Sequence, residues 1–403
     1  MTRRARCHHN SHFYLGRRYF TGTHSPAIIV AVPARNEAER IERCLAALAN
    51  QRSLNGTPFP DGRVGVLMLL NNCTDQSFEV ARSASRRLPG SVRLYDVVMD
   101  AKASHAGGAR RAAMDLAAEW LDEGCHTDGL ILTTDADSEP KSDWIAANRA
   151  AIMQGVDGVA GASEIDPDDA RLLPDIFHAR GRLEAHYESL LTELFSHLDP
   201  RPHDPWPRHA SEPGASLAVT LQAYRAIGGL PCIAFGEDGA LVAALERGGM
   251  RVRHDPAVRV VTSGRIAGRA QGGVADTIRI RCDFPDALCD PYLEPARNAF
   301  FRGLWRGRLR TLHAGGLLGV SSAWMDRLGL QPDDARQLPI GKSFAVIWGE
   351  LERVSPRLAR RPLTPRDLPG QIHTAKVTLQ ILRRAPEWVP RGQGDIQQSV
   401  VDK

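Results

Sequence analysis

One short apolar segment constrains the fold of this chain more than any other part of the sequence. Residues 130–134, Leu-Ile-Leu-Thr-Thr, lead directly into Asp135-Ala136-Asp137. An apolar run of this length without polar alternation predicts a strand buried on both faces of a parallel sheet. Residues two apart at a strand end point the same way, so Asp135 and Asp137 can converge on one ligand. A divalent cation carrying phosphates is one such ligand, and a polar turn capping the next helix is the alternative.

Four further apolar runs alternate with helical patterns in the first 160 residues. The runs are residues 27–32, 64–70, 92–98 and 156–160, and each is separated from the next by a stretch with helical spacing or by the segment described above. This alternation predicts right-handed crossovers, a parallel sheet and helices on both of its faces. We therefore expect an α/β fold with its functional side chains at the carboxyl ends of the strands.

Polar residues also follow the first two apolar runs. Residues 33–37 follow the first run and residues 71–75 follow the second. Glu37 lies where a ligand in the crevice at the strand ends would lie. Asn36 and Glu39 form a capping-box pattern, which predicts a helix beginning at this point. For the asparagines and aspartate of residues 71–75, Asx-turn and helix-capping roles are the alternatives to binding.

Basic residues occur at two places that suit an anion. Arg110 and Arg111 lie near the start of a predicted helix, where cations oppose the helix dipole and a bound anion would offset them. Residues 263–273 form a glycine-rich segment that contains Arg265 and Arg269 but no acid. A loop of this composition suits closure over phosphates.

The second half of the chain combines long helical patterns with one acidic pair. Residues 168–198 show an amphipathic pattern, a proline-rich loop follows as far as Pro213, and the chain beyond Ala275 is predicted to be mainly helical. Glu237 and Asp238 open another predicted helix. Because acids favour the dipole there, a charged N-terminus is the alternative to a catalytic role.

Composition excludes several classes of partner. The chain has 403 residues with 51 Lys and Arg against 47 Asp and Glu, and the basic groups are dispersed, so neither nucleic acid nor a membrane surface is predicted as a partner. No run approaches the ~20 apolar residues of a membrane-spanning helix. Seven scattered cysteines without a C-x-x-C pair favour a reduced, cytoplasmic location over disulfides or a zinc site. The basic segment 1–25 is predicted to be a loose tail.

In their order along the chain, these motifs resemble the family 2 glycosyltransferases of the GT-A fold. The resemblance covers about residues 26–262. Its five elements are Val32-Pro33-Ala34-Arg35-Asn36-Glu37, Asn71 to Asp75, Ala109-Arg110-Arg111, Asp135-Ala136-Asp137, and Gly228-Gly229 followed by Glu237-Asp238. It implies a GT-A type α/β fold with a mainly parallel central sheet flanked by helices. The expected parts are a Rossmann-like nucleotide-sugar half (26–162), an acceptor half (163–275) with a helical insert (168–213), and a helical C-terminal extension (276–403).

The resemblance also implies a reaction and the residues that perform it. The reaction is transfer of a hexose from a nucleotide-diphosphate sugar to an acceptor hydroxyl, with inversion. The pair Glu237-Asp238 is implied as catalytic, with Asp238 as the general base. Asp137 is implied as a ligand of Mg²⁺ or Mn²⁺, with Asp135 nearer the ribose and the metal shell. The other implied sites are Pro33, Glu37 and Asp75 for the nucleoside, Arg110 for the nucleotide or its phosphates, and Arg265 and Arg269 for the diphosphate or an anionic acceptor.

The sequence departs from the family pattern in three places. Asn71 and Asn72 stand where the family often has aspartates, and Thr262-Ser263 stand where many relatives carry a histidine metal ligand. We therefore expect the metal to keep an extra water or to bind weakly. The Gln-x-x-Arg-Trp signature of processive synthases is absent, which argues against polymer extrusion.

Three other classes remain as alternatives. They are a sugar-phosphate nucleotidyltransferase, a non-catalytic nucleotide-sugar-binding module and an aspartate-nucleophile phosphatase. The sequence specifies neither the sugar donor, the acceptor nor the oligomeric state.

Overall fold

The computed structural model describes residues 13–22, 24–59, 62–268, 272–320 and 322–384. Within this range the chain divides into two compact units. The first contains the described residues up to Leu173 together with Ser211–Arg279. The second contains Pro174–Ala210 and the described residues from Ile280 onward.

A nine-stranded sheet forms the centre of the first unit, with the strand order β1-β4-β3-β2-β5-β8-β7-β9-β6. The strands are β1 (Phe13–Thr21), β2 (Ile28–Ala34), β3 (Val64–Asn71), β4 (Ser91–Met99), β5 (Leu130–Thr133), β6 (Ser138–Pro140), β7 (Gly158–Ile165), β8 (Leu217–Thr220) and β9 (Val252–Thr262). The helices of this unit are α1 (Ile41–Ala49), α2 (Ser77–Ala84), α3 (Ala106–Glu123), α4 (Trp144–Met153), α5 (Pro167–Ala170), α7 (Leu221–Ala226) and α8 (Glu237–Arg247).

The predicted parallel sheet is confirmed for the four central strands. β2 pairs in parallel with both β3 and β5, and β3 pairs in parallel with β4. The apolar runs become buried strands because helices cover both faces, and the crossovers between them are α1, α2 and α3. Their carboxyl ends therefore meet at one edge of the sheet. The rest of the sheet is mixed, since β8 is antiparallel to β5 and β7, while β7 is parallel to β9.

The predicted loose tail is wrong for residues 13–21. These residues form β1, which pairs antiparallel with β4 at the edge of the sheet. Phe13 and Leu15 are buried in the core while the arginines of the same strand point outward. Buried apolar residues on one face and exposed side chains on the other are what an edge strand with one covered face requires. Residues 1–12 of the predicted tail lie outside the described residues.

Two hydrophobic cores enclose the sheet of the first unit. One face packs against α3, whose buried residues include Met114, Trp120 and Leu121. The other face packs against α1, α2 and α4, with Trp144 fully buried. The Trp144 indole N–H donates to Ser216 Oγ (2.9 Å), so the polar atom of this large side chain is satisfied within the core.

The second unit is helical. It contains α6 (Asp175–Leu198), α10 (Ala296–Ala314), α11 (Ala323–Leu328), α12 (Pro332–Gln337), α13 (Phe344–Val354) and α14 (Leu368–Arg384), and α9 (Val274–Asp283) contains the boundary between the two units. The predicted helical insert at 168–213 is wrong as a part of the acceptor half, because Pro174–Ala210 belongs to the second unit. Only the residues up to Leu173 and those after Ala210 group with the sheet. The buried side of α6, including Tyr187, Leu191 and Leu194, packs in one core with α10 and α14.

None of the helices in the described part of the chain combines the length and the apolar content needed to cross a bilayer.

Candidate functional site

The turns that follow β2 and β3 are joined to each other by hydrogen bonds. Asn36 has a left-handed backbone (φ 54°), which asparagine tolerates better than most residues. Its Oδ1 accepts from the Thr74 N–H (2.8 Å), and its own N–H donates to Cys73 Sγ (3.3 Å). The predicted capping box is therefore wrong. The helix α1 begins later, at Ile41, and Asn36 joins two strand ends instead.

The predicted nucleoside-binding residues lie at this pair of turns. Asp75 accepts hydrogen bonds from the Ala38 N–H (3.2 Å) and the Ser77 N–H (3.0 Å), and the Glu37 N–H donates to Ser77 Oγ (2.8 Å). Although burial opposes the effect, these bonds lower the pKa of Asp75, so its carboxylate is ionised at neutral pH. Pro33 lies at the end of β2 and is partly buried.

Asn72 has a structural reason to be an amide where the family often has an acid. Its Oδ1 accepts from the Met99 N–H (2.9 Å), while its Nδ2 donates to the Met99 carbonyl (3.2 Å). An ionised aspartate could accept the first bond but could not donate the second. Asn72 therefore holds the end of β3 against the end of β4.

Arg110 connects the two acidic motifs of the site. Its Nη2 donates to Asp135 Oδ1 (2.7 Å) and its Nε to Glu237 Oε1 (3.1 Å). Its Nη1 donates to Thr133 Oγ1 (3.1 Å) and to the Gly214 carbonyl (2.7 Å). The side chain is buried, and the two carboxylates raise its already high pKa against the effect of burial. Arg110 is thus a permanent cation that orients both acidic motifs. The predicted contact with a phosphate would require an exposed guanidinium, whereas this one is buried.

Asp238 is held at the first turn of α8 by two backbone N–H groups. The helix follows Gly236, whose left-handed backbone (φ 67°) suits glycine. Asp238 Oδ2 accepts from the Gly214 N–H (3.0 Å) and Oδ1 accepts from the Gly239 N–H (2.9 Å). Because the Gly214 carbonyl is bound by Arg110, this loop joins Asp238 to the strand end that carries Asp135.

Arg265 pairs with the carboxylates of Glu37 and Asp137. Its two terminal nitrogens donate to Glu37 at 2.6 and 2.9 Å, and its Nη2 lies 2.9 Å from Asp137 Oδ2. Burial, with added repulsion from the Asp135 carboxylate, raises the pKa of Asp137 to about 7, although Arg265 opposes the change. Arg269 falls outside the described residues.

The carboxylate pair fits a divalent ion that is bound together with a nucleotide. Among the described residues, no three His, Cys, Asp or Glu side chains are grouped so that they could hold an ion by themselves. Mg²⁺ is usually held by one or two carboxylates, with water and substrate phosphates completing its shell, and Asp135 and Asp137 provide that share. The raised pKa of Asp137 indicates a position where a further positive charge would be favourable.

The departure at Thr262-Ser263 is also explained by the scaffold. Thr262 Oγ1 accepts from Ser138 Oγ (2.9 Å), and Ser263 Oγ donates to Asp169 Oδ2 (3.0 Å). These hydroxyls hold β9 to β6 and to α5. At the position where many relatives carry a histidine metal ligand, this chain therefore has hydroxyl groups that bond to neighbouring elements.

Sequence reasoning missed two groups beside the site. Asp169 accepts from Arg40 Nη2 (2.9 and 3.0 Å), and it also holds the turn that carries Arg265. Glu212 contacts the buried His254, with 3.3 Å between Oε1 and Nε2. Neither group belongs to a local motif, since their partners are 129 and 42 residues away in sequence.

Comparison with known proteins finds a family model that matches part of the chain. Residues 29–191 match the family model described as "Glycosyl transferase family 2". The matched segment includes Glu37, Asp75, Arg110, Asp135 and Asp137 and ends before the acidic pair at α8. Among curated proteins, no sequence matches the chain.

Several solved structures are similar at low sequence identity. The mannosyltransferase PcManGT from Pyrobaculum calidifontis, in complex with GDP-Man and Mn²⁺, is 17% identical, with 94% of this chain and 79% of that chain covered and a TM-score of 0.41. S. aureus TarS 1–349, in complex with UDP, is 12% identical, with 89% and 91% covered and a TM-score of 0.41. Glucosyl-3-phosphoglycerate synthase from Mycobacterium tuberculosis, in complex with Mn²⁺, UDP and phosphoglyceric acid, is 17% identical, with 64% and 80% covered and a TM-score of 0.35. Similarity at this level says nothing about the substrate of this chain.

The predicted family resemblance is confirmed by the match. Over residues 29–191 the chain is similar to family 2 glycosyltransferases, and its central sheet flanked by helices has the α/β architecture that this resemblance implies.

Proposed function

We propose that this protein transfers a sugar from a nucleotide-diphosphate sugar to an acceptor hydroxyl, with a divalent metal ion and with inversion at the anomeric carbon. One observation carries the proposal: Arg110 bonds both Asp135 and Glu237. These bonds bring Asp135 and Asp137, which are proposed to face the diphosphate, to the same edge of the sheet as the acidic pair of α8. The two motifs are about a hundred residues apart in sequence. A transferase needs this proximity because the sugar donor and the attacking oxygen must meet.

Asp137 and Asp135 would hold Mg²⁺ or Mn²⁺ together with the diphosphate. When bound, such an ion supplies Lewis-acid stabilisation of the charge on the departing diphosphate. Arg110 fixes the orientation of Asp135 through the 2.7 Å bond between Nη2 and Oδ1. The turns that contain Pro33, Glu37 and Asp75 are held together by their own backbone bonds, which would keep them preorganised for the nucleoside.

Asp238 is the proposed general base. Two backbone N–H groups fix its carboxylate, yet the side chain stays partly accessible, so an acceptor hydroxyl can reach it. It would take the hydroxyl proton as the oxygen attacks the anomeric carbon. Attack from the face opposite the diphosphate gives inversion. Glu237 acts as a positioning residue, since its carboxylate is buried against Arg110.

A thermal-shift titration with nucleoside diphosphates tests this proposal. UDP, GDP, ADP and TDP would each be added with and without Mn²⁺ to the wild type, to Asp137→Asn and to Arg259→Gln. Arg259 is a control because it is an exposed charge on β9 whose partner is Glu164. We expect one nucleotide to stabilise the wild type and the control with Mn²⁺ but not Asp137→Asn. If none of the nucleotides raises the wild-type melting temperature, the proposal is wrong.

A further inference from the structure

Arg265 takes up the position of a cation within the candidate site. Its guanidinium bridges Glu37, at 2.6 and 2.9 Å, and Asp137, at 2.9 Å. Both carboxylates are largely buried, whereas the arginine side chain is 25% exposed. The guanidinium therefore neutralises two acids. Because the Arg265 side chain is partly exposed, it can turn outward into solvent.

The turn that presents Arg265 is firmly anchored. Asp169 Oδ2 accepts from Ser263 Oγ (3.0 Å) and from the Gly264 N–H (2.8 Å), and the same carboxylate is bound by Arg40. A side chain at position 264 would approach Ile165 Cγ2 to 2.5 Å, so only glycine permits this close packing. Arg265 thus projects from a fixed point, and only its flexible side chain is free to change partner.

The guanidinium and a metal ion would compete for the Asp137 carboxylate. Nη2 of Arg265 lies 2.9 Å from Asp137 Oδ2, and Mg²⁺ would require that kind of oxygen at ~2.1 Å. Two cations this close to one carboxylate repel each other strongly, since the site is partly shielded from water. Metal binding at Asp137 would therefore favour movement of the Arg265 side chain away from this carboxylate.

We propose that Arg265 is a displaceable counter-cation that couples metal binding to nucleotide binding. Without a nucleotide it holds Glu37 and Asp137 and keeps metal affinity low. A nucleoside diphosphate offers the guanidinium a new anionic partner of matching geometry, so Arg265 exchanges Asp137 for phosphate oxygens and leaves that carboxylate to the metal. By linkage, the metal strengthens nucleotide binding by the same factor. This inference rests on the proposed function and assigns Arg265 a positioning role in it.

Mn²⁺ binding measured by electron paramagnetic resonance, without any nucleotide, tests the inference. Removing the competitor in Arg265→Gln should tighten Mn²⁺ binding at least about tenfold, equivalent to ~1.4 kcal/mol. The control Arg259→Gln loses the same charge on an exposed part of β9 and should stay within about twofold of the wild type. The double variant Glu37→Gln/Arg265→Gln removes one charge of each sign, which keeps the charge balance of the site, and should still bind Mn²⁺ several-fold more tightly than the wild type.

The same titration with UDP, GDP, ADP and TDP separates the two proposals. In the wild type one nucleotide should strengthen Mn²⁺ binding, and this gain should shrink in Arg265→Gln. The counter-cation role is refuted, and the proposed function stands, if two results are found together. The wild type binds Mn²⁺ when a nucleotide is present, and neither Arg265→Gln nor the double variant binds Mn²⁺ more tightly than the wild type when no nucleotide is present. If the wild type takes up no Mn²⁺ with any of the four nucleotides, the metal-dependent function and the inference fail together.

Discussion

Replacing Arg110 by methionine should destabilise the protein and disconnect its two acidic motifs. Methionine is similar in length but has no charge and no N–H group. The change removes four hydrogen bonds from a buried side chain and leaves the buried Glu237 carboxylate without its cation. Breaking a buried ion pair in this way costs about 3–5 kcal/mol. Because the Asp135 side chain is 34% exposed and can be solvated, we expect a cost of ~3 kcal/mol.

A double-mutant cycle isolates the pair that matters. Urea unfolding, followed by circular dichroism, would compare the wild type, Arg110→Met, Glu237→Gln and the double variant. Once the arginine is absent, removing the charge of Glu237 should recover part of the loss, with a coupling energy of at least ~1 kcal/mol. Arg259→Met is the matched control, and its surface position predicts a change within ~0.5 kcal/mol.

Two results would refute this reasoning. Arg110→Met could cost less than ~1 kcal/mol, which would mean that the bonds to Asp135 and Glu237 contribute little. The two single changes could also add without coupling, which would mean that the Arg110–Glu237 contact is not formed in solution.

Three further changes test other parts of the site. Asp238→Asn should leave Mn²⁺-supported nucleotide binding within about threefold but slow sugar transfer at least about a hundredfold, and a nucleotide-binding loss as large as the transfer loss would contradict its role as base. Asp169→Asn should cost ~2 kcal/mol of unfolding free energy at pH 7. Although burial raises the pKa of Asp169, its arginine partner and hydrogen bonds lower it from 3.8, so this stability is present above pH 3.8 and is lost as the pH falls through the folded-state pKa. The difference between the wild type and Asp169→Asn should therefore shrink in denaturant titrations from pH 6 to pH 3.5, and a constant difference would count against the contact. Asn72→Asp should lower the unfolding free energy by about 1–3 kcal/mol, because it places a carboxylate opposite the Met99 carbonyl. Asn55→Asp is the control and should be neutral, because Asn55 accepts its hydrogen bonds from Thr57 through Oδ1, which an aspartate can also do. Equal effects of the two changes would disprove the amide requirement.

The central strands could be predicted from sequence because their signal is local. The runs 64–70 and 130–132 contain no polar side chain, and a strand buried on both faces needs no more than that. β1 escaped prediction because its buried residues Phe13 and Leu15 are soon followed by two adjacent arginines, and because its partner β4 begins 70 residues after β1 ends. The strand exists because it covers the edge of a sheet, and this requirement is visible only once the sheet is built.

The site could be predicted in its positions but not in its contacts. The polar ends of the strands indicated where Asp135, Asp137 and Glu37 would lie. The role of Arg110 could not be derived, since its partners Glu237 and Gly214 are 127 and 104 residues away. The capping-box pattern at Asn36 gave a wrong prediction for a related reason. The Asn36 side chain accepts a hydrogen bond from Thr74 in another turn, whereas a capping-box pattern is defined by residues of a single helical turn.

The boundary of the first unit also depended on distant packing. The amphipathic pattern of α6 predicts a helix with one buried side, and the helix is present. Which core it joins is decided by α10 and α14, two helices that lie much later in the chain. The predicted insert therefore had the right secondary structure and the wrong partner.

The most direct test of the proposed function is to identify the products formed from nucleotide sugars. Wild type, Asp137→Asn, Asp238→Asn and Arg259→Gln would be incubated with Mn²⁺ and a panel including UDP-glucose and GDP-mannose, and the nucleotides released, by slow transfer to water if no acceptor is present, would be identified by mass spectrometry. We predict that the wild type and Arg259→Gln release a nucleoside diphosphate from at least one donor, and that both aspartate variants release at least about a hundredfold less. Release of a nucleoside monophosphate with a sugar phosphate, or diphosphate release that is unchanged in Asp137→Asn, would contradict glycosyl transfer at this site.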